Sequence, residues 1–409
     1  MNEALLTREP AVARPSPAPQ PAATPPATAA PAVRRRTPRD PRLDFFRGLA
    51  MLIILIAHIP WNFWANWIPA RFGPSDAAEM FVFSSGYAAA IAFGGTFLRH
   101  GWWMGTRRIL LRFWQIYWAH IGLFVAIATV SVIATRIDIA DGKNYVNALN
   151  LQHFFNDPQS QLTGLLTLTY VPNYFDILPM YMVILLLVPV IMLLQRIHLG
   201  LAVAFSLGLY AAAWAGLELP AEPWSDRPWF FNPFAWQLLF FTAFAFSRGW
   251  IPVPPFRPWL LATAAVFVLV MIPISHFGLY PLTPVTRFIH ESLWGGAFTP
   301  AFKTNIHPIR ILHFLALAYL AVWFVSRKPG LLESRLARPV IRVGQQALAT
   351  FMSSMAVAWI MGMFLDVVGR DGLTVSAANV IGLASVFAVA YLVGWYKREP
   401  WRRPAPATG

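Results

Sequence analysis

The amino-acid sequence predicts an all-α, polytopic membrane protein with about ten transmembrane helices. Three observations support this fold class: the chain is 57% hydrophobic and only 12% charged, its apolar residues form long runs, and its basic residues concentrate between alternate runs. A soluble domain carries about 25% charged residues, so this chain cannot build an ordinary water-facing surface. The composition therefore excludes both a soluble globular domain and a wholly disordered chain.

The formal net charge of +14 does not indicate nucleic-acid binding in such a chain. That inference requires a basic face on a soluble module, whereas excess Arg and Lys in a membrane protein retain loops in the cytoplasm. We therefore expect no nucleic-acid partner. The chain has no cysteine, which excludes disulfides, thiolate nucleophiles and cysteine metal sites.

The N-terminal region differs in composition from the rest of the chain. Residues 1–41 hold 10 of the 35 prolines, mixed with Ala, Ser and Thr, and contain no apolar run that would form a signal peptide. We predict that 1–41 is a disordered, Pro/Ala-rich cytoplasmic tail, because dense proline and low hydrophobicity cannot support a packed core. An integral membrane domain is expected over 42–398, followed by a short disordered tail over 399–409.

A transmembrane helix needs ~20 mostly apolar residues. The segments that meet this requirement are 44–64, 76–98, 109–134, 174–195, 199–216, 232–248, 259–277, 306–326, 340–365 and 374–395. Three of the connections are long and rich in aromatic residues and proline, and we expect them to form structured caps: 135–173, 217–231 and 278–305.

The distribution of basic residues predicts the orientation of the ten helices. With both termini in the cytoplasm, 24 of the 32 Lys and Arg residues lie on the cytoplasmic side and the other 8 lie outside, although the outside connections are longer. Cytoplasmic connections of membrane proteins carry this excess of positive charge. We therefore predict that both termini are cytoplasmic.

Ionisable residues within the first predicted span are candidates for function, because a charge at the bilayer centre costs at least ~2.5–3.5 kcal/mol. At 100° per residue, Asp44, Arg47 and His58 share one stripe of a helix, with His58 about 16 Å beyond Arg47. A simpler interpretation of Asp44 and Arg47 is an ion pair that reaches the headgroups, and a lone buried histidine is often structural. The shared stripe favours a functional role for His58.

The second predicted span begins with two acidic residues, Asp76 and Glu79. Glu79 is expected at about the depth of His58 in an antiparallel helix pair, where a carboxylate could orient the imidazole of a general base. The structural alternative is a capping box, with Asp76 as the N-cap and Glu79 at position N3.

Two further segments carry polar groups where apolar spans begin. Asp176 lies at the start of the fourth span, just inside the outer face, although helix-start chemistry also explains an acidic residue there. The eighth span is entered through a segment that begins Lys303-Thr-Asn305, and Lys303, His307, Arg310 and His313 lie on neighbouring faces within about three turns. We expect no metal site, because the sequence has no His-x3-His pair and no carboxylate cluster at ligand spacing. It also lacks phosphate-binding glycine loops, which gives no support to ATP-driven transport or nucleotide redox chemistry.

These residues resemble motifs of the membrane acyltransferase-3 superfamily, and within it the OpgC family, which succinylates osmoregulated periplasmic glucans. The stretches that carry the resemblance are Arg42-Leu-Asp44-Phe-Phe-Arg47-Gly-Leu with His58, Phe72-Gly-Pro-Ser-Asp76-Ala-Ala-Glu79, Ser85-Gly86-Tyr87, Asp176-Ile-Leu-Pro179-Met-Tyr181, and Lys303-Thr-Asn305 with Arg310. They cover roughly 42–325, and their combination is specific, whereas the Arg-x10-His pair alone is weak. Ser84 stands where the wider superfamily usually has Leu.

The resemblance implies a multi-pass protein of the bacterial inner membrane that transfers an acyl group from cytoplasmic succinyl-CoA, a co-substrate, to sugar hydroxyls of periplasmic glucans, with no bound cofactor. It also implies roles for the residues above. His58, Glu79 and Asp44 are expected to be catalytic, with Asp44 as a partner of Arg47. Arg47 is expected to bind the donor, since guanidinium matches phosphate geometry. Acceptor or succinyl-carboxylate binding is assigned to Asp176, Lys303, Asn305, Arg310 and His313, with Arg310 and Lys303 preferred for the carboxylate.

Two other functions fit parts of the sequence. An O-acetyltransferase of another envelope polysaccharide or a lipid-linked sugar would keep the fold and change the donor. A proton-coupled secondary transporter would use Asp44, His58 and Glu79 as a proton relay, but the halves of the chain show no matching broken helices. The oligomeric state does not follow from the sequence.

Overall fold

A computed structural model describes residues 40–295 and 299–401 of the chain. This part of the chain is helical, and its only extended pairing is an isolated bridge between Pro220 and Pro228. The predicted tails, 1–41 and 399–409, lie outside the described residues except at 40–41 and 399–401. The main helices are α1 Pro41–His58, α2 Ala77–Ala89, α3 Gly95–Arg136, α4 Ile177–Ile197, α5 Leu199–Trp214, α6 Pro233–Arg248, α7 Pro258–Ser275, α8 Pro308–Arg327, α9 Ala337–Gln345, α10 Ala347–Val368 and α11 Gly372–Tyr396.

Short helical segments fill the connections between these helices. The α-helical ones are Tyr145–Ala148, Gln152–Asn156, Pro158–Thr167, Pro284–His290, Thr299–Thr304 and Gly330–Glu333. The 3₁₀ segments are Phe63–Trp67, Pro69–Arg71 and Tyr280–Leu282, and the π-helical ones are Ala90–Gly94 and Glu291–Gly295. Two of the three long connections, 135–173 and 278–305, are thus partly helical, whereas 217–231 contains the Pro220–Pro228 bridge and no helix.

Among the described residues, six helical elements are long and apolar enough to cross a membrane, so the chain is a membrane protein. One of them, Ala77–Arg136, joins α2 to α3 through the π-helical turn and bends at Gly101, whose backbone has φ 80°. Glycine adopts this conformation without steric penalty. The second and third predicted spans therefore belong to one bent helical element.

The helices bear on four of the predicted spans in particular. The first was expected over 44–64, but α1 ends at His58 because Ile59 precedes Pro60 and takes an extended conformation. The ninth, 340–365, is divided at Gln346 into α9 and α10. The fifth and sixth correspond to α5 and α6, each of 16 residues or about 24 Å, which is shorter than an apolar bilayer core.

Helices α1 and α9 approach each other through backbone atoms. An added Cβ at Gly48 would lie 1.9 Å from the Val340 carbonyl oxygen, and one at Gly344 would lie 1.8 Å from the Asp44 carbonyl oxygen. Only glycine allows such a separation, so the two glycines fix α1 against α9 along its first two turns. The opposite end of α1 carries His58 into the site described below.

Candidate active site

His58 lies at the last residue of α1 with its ring held in one orientation. Its Nδ1 is 2.7 Å from the Ile54 carbonyl oxygen, one turn earlier in the same helix. A carbonyl oxygen can only accept a hydrogen bond, so Nδ1 carries the proton and Nε2 of the neutral ring has the lone pair. A histidine whose tautomer is set in this way has the form that a general base requires.

Tyr174 fixes the other side of the imidazole. Its ring meets His58 edge to face, with centroids 5.2 Å apart and planes at 83°. The Tyr174 hydroxyl donates to the Met355 carbonyl oxygen of α10 at 2.8 Å. Tyr174 also has φ 89°, a conformation that costs a non-glycine residue of order 1–3 kcal/mol and that persists where surrounding contacts impose it. The aromatic wall beside His58 is therefore tied to α10.

A cavity of about 830 Å³, which we call the His58 cavity, opens beside this histidine. Its volume falls within the 300–1,000 Å³ typical of small-molecule sites. The wall is mostly apolar, and its polar or charged side chains include His58, Arg71, Asp76, Asp176, Arg227 and Lys303. These residues come from the end of α1, the connection to α2, the starts of α2 and α4, and the loops before α6 and α8. The topology thus collects distant segments at one end of the bundle.

A four-residue ion cluster closes one side of the cavity. Lys303 Nζ is 2.6 Å from Asp76 Oδ2, and Arg310 NH2 is 2.6 Å from Glu79 Oε1 and 3.5 Å from Asp76 Oδ2. Arg310 Nε also donates to Glu79 Oε1 at 2.7 Å. Only Lys303 and Asp76 line the cavity, while Arg310 and Glu79 lie behind them, 4% and 0% exposed. The cluster contains two cations and two carboxylates, so its formal charges balance.

The expectation that Glu79 orients His58 is wrong. Glu79 Oε1 accepts from Arg310, and its Oε2 accepts from the Asp76 backbone N–H at 2.8 Å. The imidazole N–H is instead used by Ile54. The predicted capping box is confirmed, with Asp76 Oδ1 accepting from the Ala78 N–H at 2.7 Å. The argument from equal depth along antiparallel helices therefore did not predict which side chains contact each other.

The remaining residues assigned to acceptor or carboxylate binding lie in different positions. Asp176 is buried in the cavity wall, and its Oδ1 accepts from the Phe230 N–H at 3.1 Å. Asn305 does not line the cavity; it accepts from Asn232 at 3.0 Å and donates to the Ala213 carbonyl at 3.2 Å. Asn305 therefore joins the loop before α8 to α5 and the start of α6.

His313 also lies away from the cavity lining. It is 1% exposed, and its Nδ1 is 2.7 Å from Ser75 Oγ. Its ring packs so closely on Gly73 that an added Cβ there would lie 2.1 Å from the His313 Cε1. His313 therefore packs between α8 and the segment before α2.

Arg227 is a cavity residue that the sequence did not single out. Its NH2 is 3.0 Å from Glu222 Oε2 and donates to the Val171 carbonyl at 2.9 Å. Burial acts to raise the pKa of Glu222, but hydrogen bonds from Ser225 and Arg227 outweigh it and hold that pKa below its ordinary value. Glu222 is thus a charged partner for Arg227 at the rim of the cavity.

Asp44 and Arg47 lie near the other end of α1. Asp44 is 1% exposed, so it is buried in the protein and does not reach the headgroups. Arg47 and Arg112 both act electrostatically on the hydroxyl of Tyr181, and both side chains are half-buried. The structure therefore separates a cationic region near the start of α1 from the histidine at its end.

The site also contains residues that sequence reasoning passed over. Tyr174 lies two residues before the motif that begins at Asp176, but its positive φ has no sequence signal because tyrosine rarely adopts it. Arg71 appeared only as one of the basic residues outside the membrane. Within 40–295 and 299–401, no group of three or more histidine or acidic residues could hold a metal ion.

These features define a multi-pass membrane protein with a histidine-bearing cavity at one end of its helical bundle. A family model described as OpgC protein matches residues 39–398, and the chain therefore belongs to the OpgC family. No curated protein and no solved structure matches the chain. Membership of this family indicates a glucan-modifying acyltransferase.

Proposed function

We propose that the protein is an O-succinyltransferase of the bacterial inner membrane, which moves a succinyl group from cytoplasmic succinyl-CoA to sugar hydroxyls of periplasmic glucans. The observation that carries the proposal is the tautomer of His58. Its Nδ1 lies 2.7 Å from the Ile54 carbonyl oxygen and donates to it, which leaves Nε2 as a base beside the His58 cavity. Family membership supports the acyltransferase class.

The proposed topology has ten membrane crossings with both termini in the cytoplasm. The helix α1 supplies the first crossing, although Arg42, Asp44 and Arg47 make it less apolar than the six elements named above. The element Ala77–Arg136 crosses twice, and α4 to α8, α10 and α11 supply the remaining seven. In this orientation, 24 of the 32 basic residues are cytoplasmic, which agrees with the charge bias of membrane proteins.

The donor would enter from the end of α1 that carries Arg47. Guanidinium groups bind phosphate in a bidentate manner, and Arg47 shares its region with Arg112. The two ends of the site are about 16 Å apart along α1, counted over the 11 residues from Arg47 to His58. An extended pantetheine arm spans such a distance, so phosphates held near Arg47 leave the thioester at His58.

The reaction follows from the tautomer of His58. Nε2 removes the proton from a glucan hydroxyl while the hydroxyl oxygen attacks the thioester carbonyl carbon. The tetrahedral intermediate collapses with cleavage of the carbon–sulfur bond, and the imidazolium returns its proton to the departing thiolate. The products are a succinyl ester of the glucan and free CoA thiol, and His58 ends in its starting form.

The mostly apolar wall of the His58 cavity would exclude water from the thioester, which limits hydrolysis. Phe230 is 45% exposed and presents a ring at the cavity on which a sugar face can pack. Asp176, buried beside it, provides an acceptor for sugar hydroxyls. We therefore assign this side of the cavity to the glucan.

The test is His58→Ala in cells that make periplasmic glucans and lack their own copy of the gene. Mass spectrometry of the extracted glucans should show succinyl esters with the wild-type chain and none with the variant. His100→Ala is the matched control, because His100 is exposed on α3 and lies outside the cavity. Full succinylation with His58→Ala would overturn the catalytic assignment, and acetyl esters in place of succinyl esters would overturn the donor.

A further inference from the structure

Arg71 is a cation of the His58 cavity that lies outside the carboxylate pairs of the site. It ends the 3₁₀ segment Pro69–Arg71, between α1 and α2, and its side chain is exposed on the cavity wall. Within the described chain its hydrogen bond goes from Nε to the Ala65 carbonyl oxygen at 3.3 Å. That bond uses Nε alone, and the NH1 and NH2 groups make no hydrogen bond to the described residues.

The other cations of the site are already matched with acidic groups. Lys303 pairs with Asp76 at 2.6 Å, and Arg227 pairs with Glu222 at 3.0 Å. Arg310, behind the wall, pairs with Glu79 at 2.6 Å. A ligand carboxylate at one of these positions would have to displace a protein carboxylate or add an uncompensated negative charge.

We propose that Arg71 binds the terminal carboxylate of the acyl donor and thereby selects a dicarboxylic acyl group over a neutral one. The proposal rests on the function proposed above and deepens it. It replaces Arg310 and Lys303, the residues that the sequence favoured for this carboxylate, with a cation that has no carboxylate of its own among the described residues.

The direction of the donor supports this placement. With the CoA phosphates near Arg47 and the thioester carbonyl at His58, the acyl chain beyond the carbonyl continues past the C-terminal end of α1. The second 3₁₀ segment after α1 ends at Arg71, which lines the same cavity as His58. A succinyl group places its carboxylate only two methylene groups beyond the reacting carbonyl, so both ends of the group fit one cavity of this size.

Arginine is the suitable residue for such a contact. Its planar guanidinium donates two parallel hydrogen bonds to one carboxylate, whereas lysine offers a point charge on a flexible chain. An acyl group without a terminal carboxylate cannot make this charge-assisted contact with Arg71. Acetyl-CoA, which has no terminal carboxylate, should therefore be a poor donor for the wild-type protein.

The experiment compares kcat/KM for succinyl-CoA and acetyl-CoA at one saturating glucan concentration, using purified full-length protein. Arg71→Ala should lower the ratio of succinyl to acetyl transfer at least tenfold, mainly through a higher KM for succinyl-CoA, and Arg71→Lys should restore part of the ratio. Arg136→Ala is the matched control, because Arg136 is exposed at the end of α3 and outside the cavity; its ratio should equal that of the wild type.

Three results would overturn the proposal. An unchanged ratio of succinyl to acetyl transfer in Arg71→Ala would show that Arg71 does not bind the carboxylate of the donor. An equal loss of transfer with both donors assigns Arg71 to folding or to the acceptor instead. A wild-type protein that uses acetyl-CoA but not succinyl-CoA, with loss of transfer in His58→Ala, contradicts the proposed donor itself and leaves the histidine chemistry intact.

Discussion

The buried ion cluster makes a specific prediction about the cost of removing one of its members. Arg310→Leu leaves Glu79 without the cation that contacts it through two N–O distances of 2.6 and 2.7 Å. Glu79 is 0% exposed, so water cannot replace the lost partner. Removing one member of a buried ion pair costs ~3–5 kcal/mol, because the remaining charge keeps its desolvation penalty. We expect Arg310→Leu to destabilise the protein by about this amount.

A second substitution should recover much of that loss. Glu79→Gln removes the stranded charge, and glutamine at N3 can still accept from the N-cap N–H in a capping box. The double variant Arg310→Leu/Glu79→Gln should therefore be more stable than Arg310→Leu alone, although it carries one more change. The difference between the double variant and the sum of the single variants measures the coupling between the two side chains.

The assay is the apparent unfolding temperature of the four proteins in one detergent at one scan rate, followed by fluorescence of the 18 tryptophans. Arg136→Leu is the control, because an exposed substitution away from packed features changes stability by only about ±0.5 kcal/mol. The reasoning fails if Arg310→Leu unfolds at the wild-type temperature, or if the double variant is no more stable than Arg310→Leu.

Three other substitutions test the packing, the histidine and the donor region. Gly344→Ala should sharply lower the yield of monodisperse protein, since its Cβ would lie 1.8 Å from a backbone oxygen of α1; Gly208→Ala, whose Cβ meets nothing within 4 Å, should not. Tyr174→Phe loses the 2.8 Å hydrogen bond from the tyrosine hydroxyl to α10 and should lower kcat about 2- to 10-fold. An unchanged kcat would show that this hydrogen bond does not position His58. Arg47→Lys should raise the KM for the acyl-CoA donor, because an ammonium group cannot make bidentate phosphate contacts, and an unchanged KM would count against donor binding by Arg47.

The local features of the fold could be predicted from the sequence because they depend on neighbouring residues. The capping box at the start of α2 follows from the spacing of Asp76 and Glu79, and the structure has it. The end of α1 could also have been placed at His58, since the residue before Pro60 disfavours helix. The first span was expected to extend to residue 64 because the apolar composition continues past Pro60, and the effect of the proline was not considered.

The partners of the site residues could not be predicted in the same way. Glu79 contacts Arg310, 231 positions away in the chain, and which faces of two helices meet depends on the packing of the whole bundle. Spacing along a helix gives the depth of a side chain and not its partner on another helix. The expected Glu79–His58 contact failed for this reason, although both residues lie at or behind the same cavity.

The most direct test of the central claim separates donor and acceptor by the membrane. Sealed inside-out vesicles that contain the protein and trapped glucan would receive radiolabelled succinyl-CoA from the outside, which is the cytoplasmic face. We predict labelled glucan inside vesicles with the wild-type chain and none with His58→Gln, at equal protein content. Equal labelling by His58→Gln, or labelling only after detergent mixes the two compartments, would contradict histidine-dependent transfer across the membrane.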